Sequence, residues 1–145
     1  MDAEAVQAML REDRAEWEAL VAVLEAHPDG PLHDPSAPTW TARDVYAHLA
    51  RWMEHSTAEL KSWLASRTLL HTLDGTDDEI NARWQQEDSA LSLDEARERA
   101  QRAFDRRIEA IEAVPADRWD AVTEACARAD GAQHYRAHRS FIVVA

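Results

Sequence analysis

Three histidines in this 145-residue chain have the type and spacing for metal chemistry: His48, and the pair His134 and His138. Neutral imidazole is the commonest protein ligand for divalent transition metals. His134 and His138 stand four apart, so on a helix both rings point the same way about one turn apart. His48 falls between Val45 and Trp52 on an apolar stripe, where a solvated imidazole is not expected. Taken singly, each fits a packed histidine bonded to a carbonyl or carboxylate. Brought together in an apolar pocket, three neutral rings would leave nitrogens without partners, and a divalent ion relieves that. Three protein ligands with a fourth position open is the arrangement of catalytic rather than structural zinc.

Other polar groups bear on that chemistry. In His134-Tyr-Arg-Ala-His138 a tyrosine stands where a His-Glu-x-x-His protease carries its glutamate, which argues against a metalloprotease. Asp13 interrupts an apolar stripe, so its carboxylate must find a histidine N–H, or an Arg or Lys on a neighbouring helix. Glu54 is a further acid/base candidate. His55 lies two turns from His48 on nearly the same face, as a group behind the ligands or a competitor to them. His27, His33 and His71 fall in connections and read as solvated. Cys126, the single cysteine, excludes an internal disulfide and reads as a small buried hydrophobe.

Helices must position these groups. The chain has only three glycines and five prolines, four of them between Pro28 and Pro38, so it has few turns to make. A first helix runs from Asp2 to about Ala26, with Val6, Met9, Leu10, Trp17, Leu20, Val21 and Leu24 on one stripe. Thr41 with Asp44 marks the start of a second, which ends between Ser66 and Leu70 and carries Val45, His48, Leu49, Trp52, Met53, Leu60, Trp63 and Leu64 inward. Thr76-Asp-Asp-Glu79 opens a short helix and Ser92-Leu-Asp-Glu95 a long one, with Ala100, Phe104, Ile108, Ile111 and Val114 inward and Pro115 as its stop. The last helix begins between Thr123 and Ala132 and places His134, His138, Phe141, Ile142 and Ala145 on one side. The expected fold is an all-α, up-down-down-up four-helix bundle in one domain, 1–145, with a short extra helix between helices 2 and 3.

A net charge of -12 argues against nucleic acid and anionic membrane as partners, since both need a basic surface. No apolar run reaches the roughly 20 residues of a spanning helix, and the acidic Met1-Asp-Ala-Glu start is unlike a signal peptide. The cytoplasm is the expected location. Six tryptophans are a high number for 145 residues. Trp17, Trp52 and Trp63 fall on stripes and read as core, and Trp40 staples the mouth of the second helix.

Trp40-Thr-Ala-Arg-Asp-Val-Tyr-Ala-His48-Leu, followed late in the chain by His134-x-x-x-His138, resembles the DinB superfamily of four-helix bundles, which includes thiol-dependent transferases and isomerases. Asp78-Glu-Ile-Asn81-Ala-Arg-Trp84, Ser92-Leu-Asp-Glu-Ala96 and His134-Tyr135-Arg-Ala-His138-Arg139 are similar to the branch containing the ClbS-like colibactin-resistance proteins. The superfamily resemblance implies that His48, His134 and His138 hold a divalent metal, with a low-molecular-weight thiol as a further cofactor; imidazole ligands suit Zn or Ni, and Fe²⁺ also accepts them. The branch resemblance implies a small-molecule pocket, for which Trp52, Asn81, Trp84 and Tyr135 are the contact candidates. Three functions follow as expectations: a metal-dependent thiol transferase or hydrolase in stress response or detoxification, a protective protein that binds or opens a reactive electrophile without metal, or a non-enzymatic bundle. A homodimer through exposed helix faces is a further expectation.

Overall fold

Side-chain caps fix where the helices begin. Asp2 accepts from the Ala5 N–H and opens α1 (Ala3–Ala26). At Thr41, Asp44 reaches back and its Oδ2 accepts from the Thr41 N–H at 3.0 Å, opening α2 (Ala42–Ser66). Thr76 accepts from Glu79 at the head of α3 (Asp77–Glu87), and Ser92 from Glu95 at the head of α4 (Leu93–Glu112). α2 closes on Arg67, which adopts the left-handed conformation that ends many helices.

The computed structural model describes residues 1–32, 37 and 39–142, which hold six α-helices, one short 3-10 turn (Ala116–Arg118) and no strand. The all-helical class expected from the sequence is therefore observed. The short helix expected between the second and third long helices is α3. His33, Pro35, Pro38 and Ala145 lie outside the described residues.

The last helix is not one helix. α5 (Ala121–Arg128) and α6 (Ala132–Phe141) are separated by Ala129, Asp130 and Gly131. The break is stabilised from outside the segment. Arg107 of α4 donates to the carbonyls of Ala127 (2.5 Å) and Ala129 (3.2 Å), and Asp13 of α1 accepts from the Ala132 N–H at 2.8 Å. Backbone groups that a continuous helix would pair internally are paired here by a buried ion pair.

α2 lies along α4, with α3 and α5 also packed on α2, while α6 packs on α1. The buried face of α4 is rich in alanine (Ala96, Ala100 and Ala103), which lets α2 approach closely. The core joins Leu10, Leu20 and Leu24 of α1 to Leu49, Met53 and Leu60 of α2. At its centre Trp17 stacks on Phe104 with ring centroids 5.0 Å apart, and Tyr135 of α6 meets both rings edge-on. Such aromatic pairs add about 0.5–1.5 kcal/mol beyond the area they bury. They fix how α6 sits, and so where its histidines point.

Candidate metal centre

His48 lies two turns inside α2, on the buried side of the helix and 9% exposed. Burial, reinforced by the neighbouring His138 and His134, pushes its pKa well below 6.5, so the ring is neutral at pH 7. The edge of the Trp40 ring closes one side, with centroids 5.1 Å apart. The Nδ1 of His48 is buried and has no hydrogen-bond partner, a cost that a native core ordinarily avoids.

α6 brings the other two rings to it. Successive residues on a helix point about 100° apart, so this short helix presents three different faces. His134 and His138 face His48, at ring-centroid distances of 5.5 and 4.9 Å. Tyr135 points into the core. Arg136 and Arg139 turn to α1, where they pair with Glu12 and Glu16. These ion pairs and the Tyr135 contacts hold α6 from two sides.

The Nε2 atoms of His134 and His138 are 3.0 Å apart. Each of the three histidines offers one ring nitrogen lying within 4.8 Å of the other two. Two imidazole nitrogens at about 2.0–2.1 Å from one ion stand about 3.3 Å apart in a tetrahedral arrangement and about 2.9 Å apart at a right angle. The 3.0 Å between His134 and His138 falls between these values, and three imidazoles are a good donor set for a divalent metal. The three histidines can therefore hold a metal ion. Behind His134, the Asp130 carboxylate lies 3.2 Å from Nδ1. Nδ1 makes no hydrogen bond in this arrangement.

The cluster forms part of the wall of an open cleft of about 690 Å³. Trp40 and Trp52 supply aromatic walls, Asn81 and Gln85 of α3 supply polar ones, and Phe141 stands at the mouth, 45% exposed. The Trp52 Nε1–H donates to Asn81 Oδ1 at 2.8 Å, tying α3 to α2 across that wall. Asp77, Asp78 and Asp130 also line the cleft, with no Lys or Arg among the described lining residues.

The other residues singled out from the sequence are distributed as follows. Trp52 and Asn81 line the cleft. Trp84 stands behind Trp52, its ring edge-on at 4.8 Å and the Arg51 guanidinium over its face, and it borders a smaller crevice instead. Tyr135 lies away from the cleft. It is fully buried among Trp17 and Phe104, with its hydroxyl donating to the Met53 sulfur at 3.2 Å, and is not among the residues that line the cleft. Asp13 finds Arg107 rather than a histidine, at 2.8 Å and with both side chains buried. Glu54 is held by Arg99. His55 faces Glu59 and the edge of Trp52, outside the three-histidine group. Cys126 is buried on α5, and burial pushes its thiol pKa up, which disfavours the thiolate. Asp130 was missed in the sequence. The signal for it was present: an acid four residues before His134.

Comparison with protein-family models, with curated proteins and with solved structures gives no match to this chain. No helix among the described residues is long and apolar enough to cross a membrane.

Proposed function

We propose that this chain is a DinB-like four-helix bundle whose His48, His134 and His138 hold a divalent metal, Zn²⁺ or Ni²⁺. It acts on a small organic molecule, by thiol transfer or hydrolysis, in stress response or detoxification. One observation carries the reading: three imidazoles converge at the wall of an open cleft, and the buried Nδ1 of His48 has no partner within the protein. Packing alone gives no reason to collect three such rings.

A metal in this position supplies Lewis acidity toward a thiol or a water at its open side. The protein does the rest. α2 and α6 hold the donor nitrogens, Trp40 and Trp52 give a substrate apolar surface, and Asn81 offers a polar anchor. The cleft carries carboxylates and no Lys or Arg among its described residues, which favours an uncharged or cationic molecule over a phosphorylated one.

One observation favours the metal-free alternative, a ClbS-like protein that protects by binding an electrophile. At 3.0 Å, His134 and His138 can share a hydrogen bond from one Nε2–H to the other ring's lone pair. Metal analysis of purified protein decides between the two. The expected result is about one divalent ion per chain, lost in His48→Ala and in His138→Ala. Failure of the native chain to bind Zn²⁺ or Ni²⁺ with micromolar or better affinity would sink the metal reading and leave the protective one. Challenge with an electrophilic genotoxin, with and without the protein, then tests that alternative.

A further inference from the structure

We propose that Asp130 is the positioning residue for His134, fixed in place by the buried Asp13–Arg107 pair, and that it tightens the grip of the three histidines on a divalent ion. This rests on the metal centre proposed above and deepens it.

The first observation is where the carboxylate lies. His134 sets its Nε2 beside His138, and its Nδ1 lies 3.2 Å from Asp130 Oδ1 without a hydrogen bond between them. A metal-bound histidine commonly donates its second N–H to a carboxylate, which sets the tautomer, orients the ring and raises its basicity. With an ion on Nε2, the Nδ1–H would be the group left to donate to Asp130. The side chain is 18% exposed, sheltered enough for its charge to act on the ring with little screening.

The second observation is how Asp130 is held. Its φ is 57°, in the left-handed region that residues other than Gly, Asn and Asp seldom adopt. Bonds to Arg107 and Asp13 bracket it on both sides, at Ala127 and Ala129 before it and Ala132 after it. Gly131 is part of the same device. A Cβ there would lie 2.5 Å from Arg107 Nη2 and 2.8 Å from Asp13 Oδ1, so only glycine lets the pair reach the backbone. The conformation itself would accept asparagine or glycine equally well. The negative charge of an aspartate is what His134 accounts for.

The test compares Zn²⁺ and Co²⁺ titrations of metal-free wild type, Asp130→Asn and Asp130→Ala. Asparagine keeps the left-handed backbone and an acceptor oxygen but removes the charge. Asp130→Asn is expected to bind either ion about 10–100-fold more weakly and to change the visible Co²⁺ bands, with the melting temperature of the metal-free protein unchanged. Asp130→Ala is expected to bind at least as weakly, with a lowered metal-free melting temperature from backbone strain. Binding by Asp130→Asn within about twofold of wild type, with the same Co²⁺ spectrum, would overturn the proposal while leaving the metal centre standing. A wild-type chain that takes up neither ion overturns the metal centre, and this inference with it.

Discussion

His48 is neutral in the folded protein because burial keeps water from the ring and the neighbouring His138 and His134 disfavour a further positive charge. In the unfolded chain the same ring titrates at its ordinary value of 6.5. Its folded pKa is lowered, so the stability it carries is complete above 6.5 and is lost as pH falls below that value toward the folded pKa. Urea unfolding of the metal-free protein should therefore show a lower midpoint at about pH 5.5 than at about pH 7.5, with a smaller difference in His48→Gln. Equal sensitivity in wild type and variant would mean that the ring is not shielded as described. Metal uptake should weaken over the same pH range, because protons and the ion compete for one lone pair. Tyr135 teaches a different lesson at this scale. It adjoins His134 in sequence but points into the core, because a one-residue step turns about 100° around a helix. Helical geometry turns it from the histidine face onto Trp17 and Phe104.

The α5–α6 junction shows how one element is positioned by others far away in sequence. Asp13→Ala would leave Arg107 buried without its carboxylate, at an expected cost of about 3–5 kcal/mol in urea unfolding. Gly131→Ala, which drives a methyl group into the same pair, should cost about 1–3 kcal/mol and weaken metal binding as well. If Gly131→Ala is neutral in both measurements, the pair does not govern the junction. Much of the helical layout is legible in the sequence. Thr76 and Ser92 each bond to a residue three positions on, a local signal that sequence carries. The division of the last helix was not legible, because the groups that satisfy its broken backbone belong to α1 and α4. Asp13 marks the limit between the two cases. Its need for a partner could be read from the stripe it interrupts, but the identity of that partner could not.

At the scale of the molecule, a ligand that binds only the folded state stabilises it by mass action. An ion at about 100 times its dissociation constant should add about 2.7 kcal/mol. For a chain of this size that corresponds to a rise of roughly 5–11 °C in melting temperature. The rise should be absent in His48→Ala, as read by thermal melts with and without added Zn²⁺. The three histidines were legible as a candidate group because their stripe positions are local, whereas their convergence depends on how α6 docks. α6 is ten residues long, shorter than helices that persist alone in water. Its neighbours keep it folded: Tyr135 in the core, and Arg136 and Arg139 on α1. An ion shared by His48 and the α6 pair would add a covalent-like tie from position 48 to position 134, closing most of the chain into a ring. Ring closure lowers the entropy of opened states, so the amides of α6 are where slowed hydrogen exchange on metal loading should be largest. Read this way, the centre is also a clasp on the helix most easily lost.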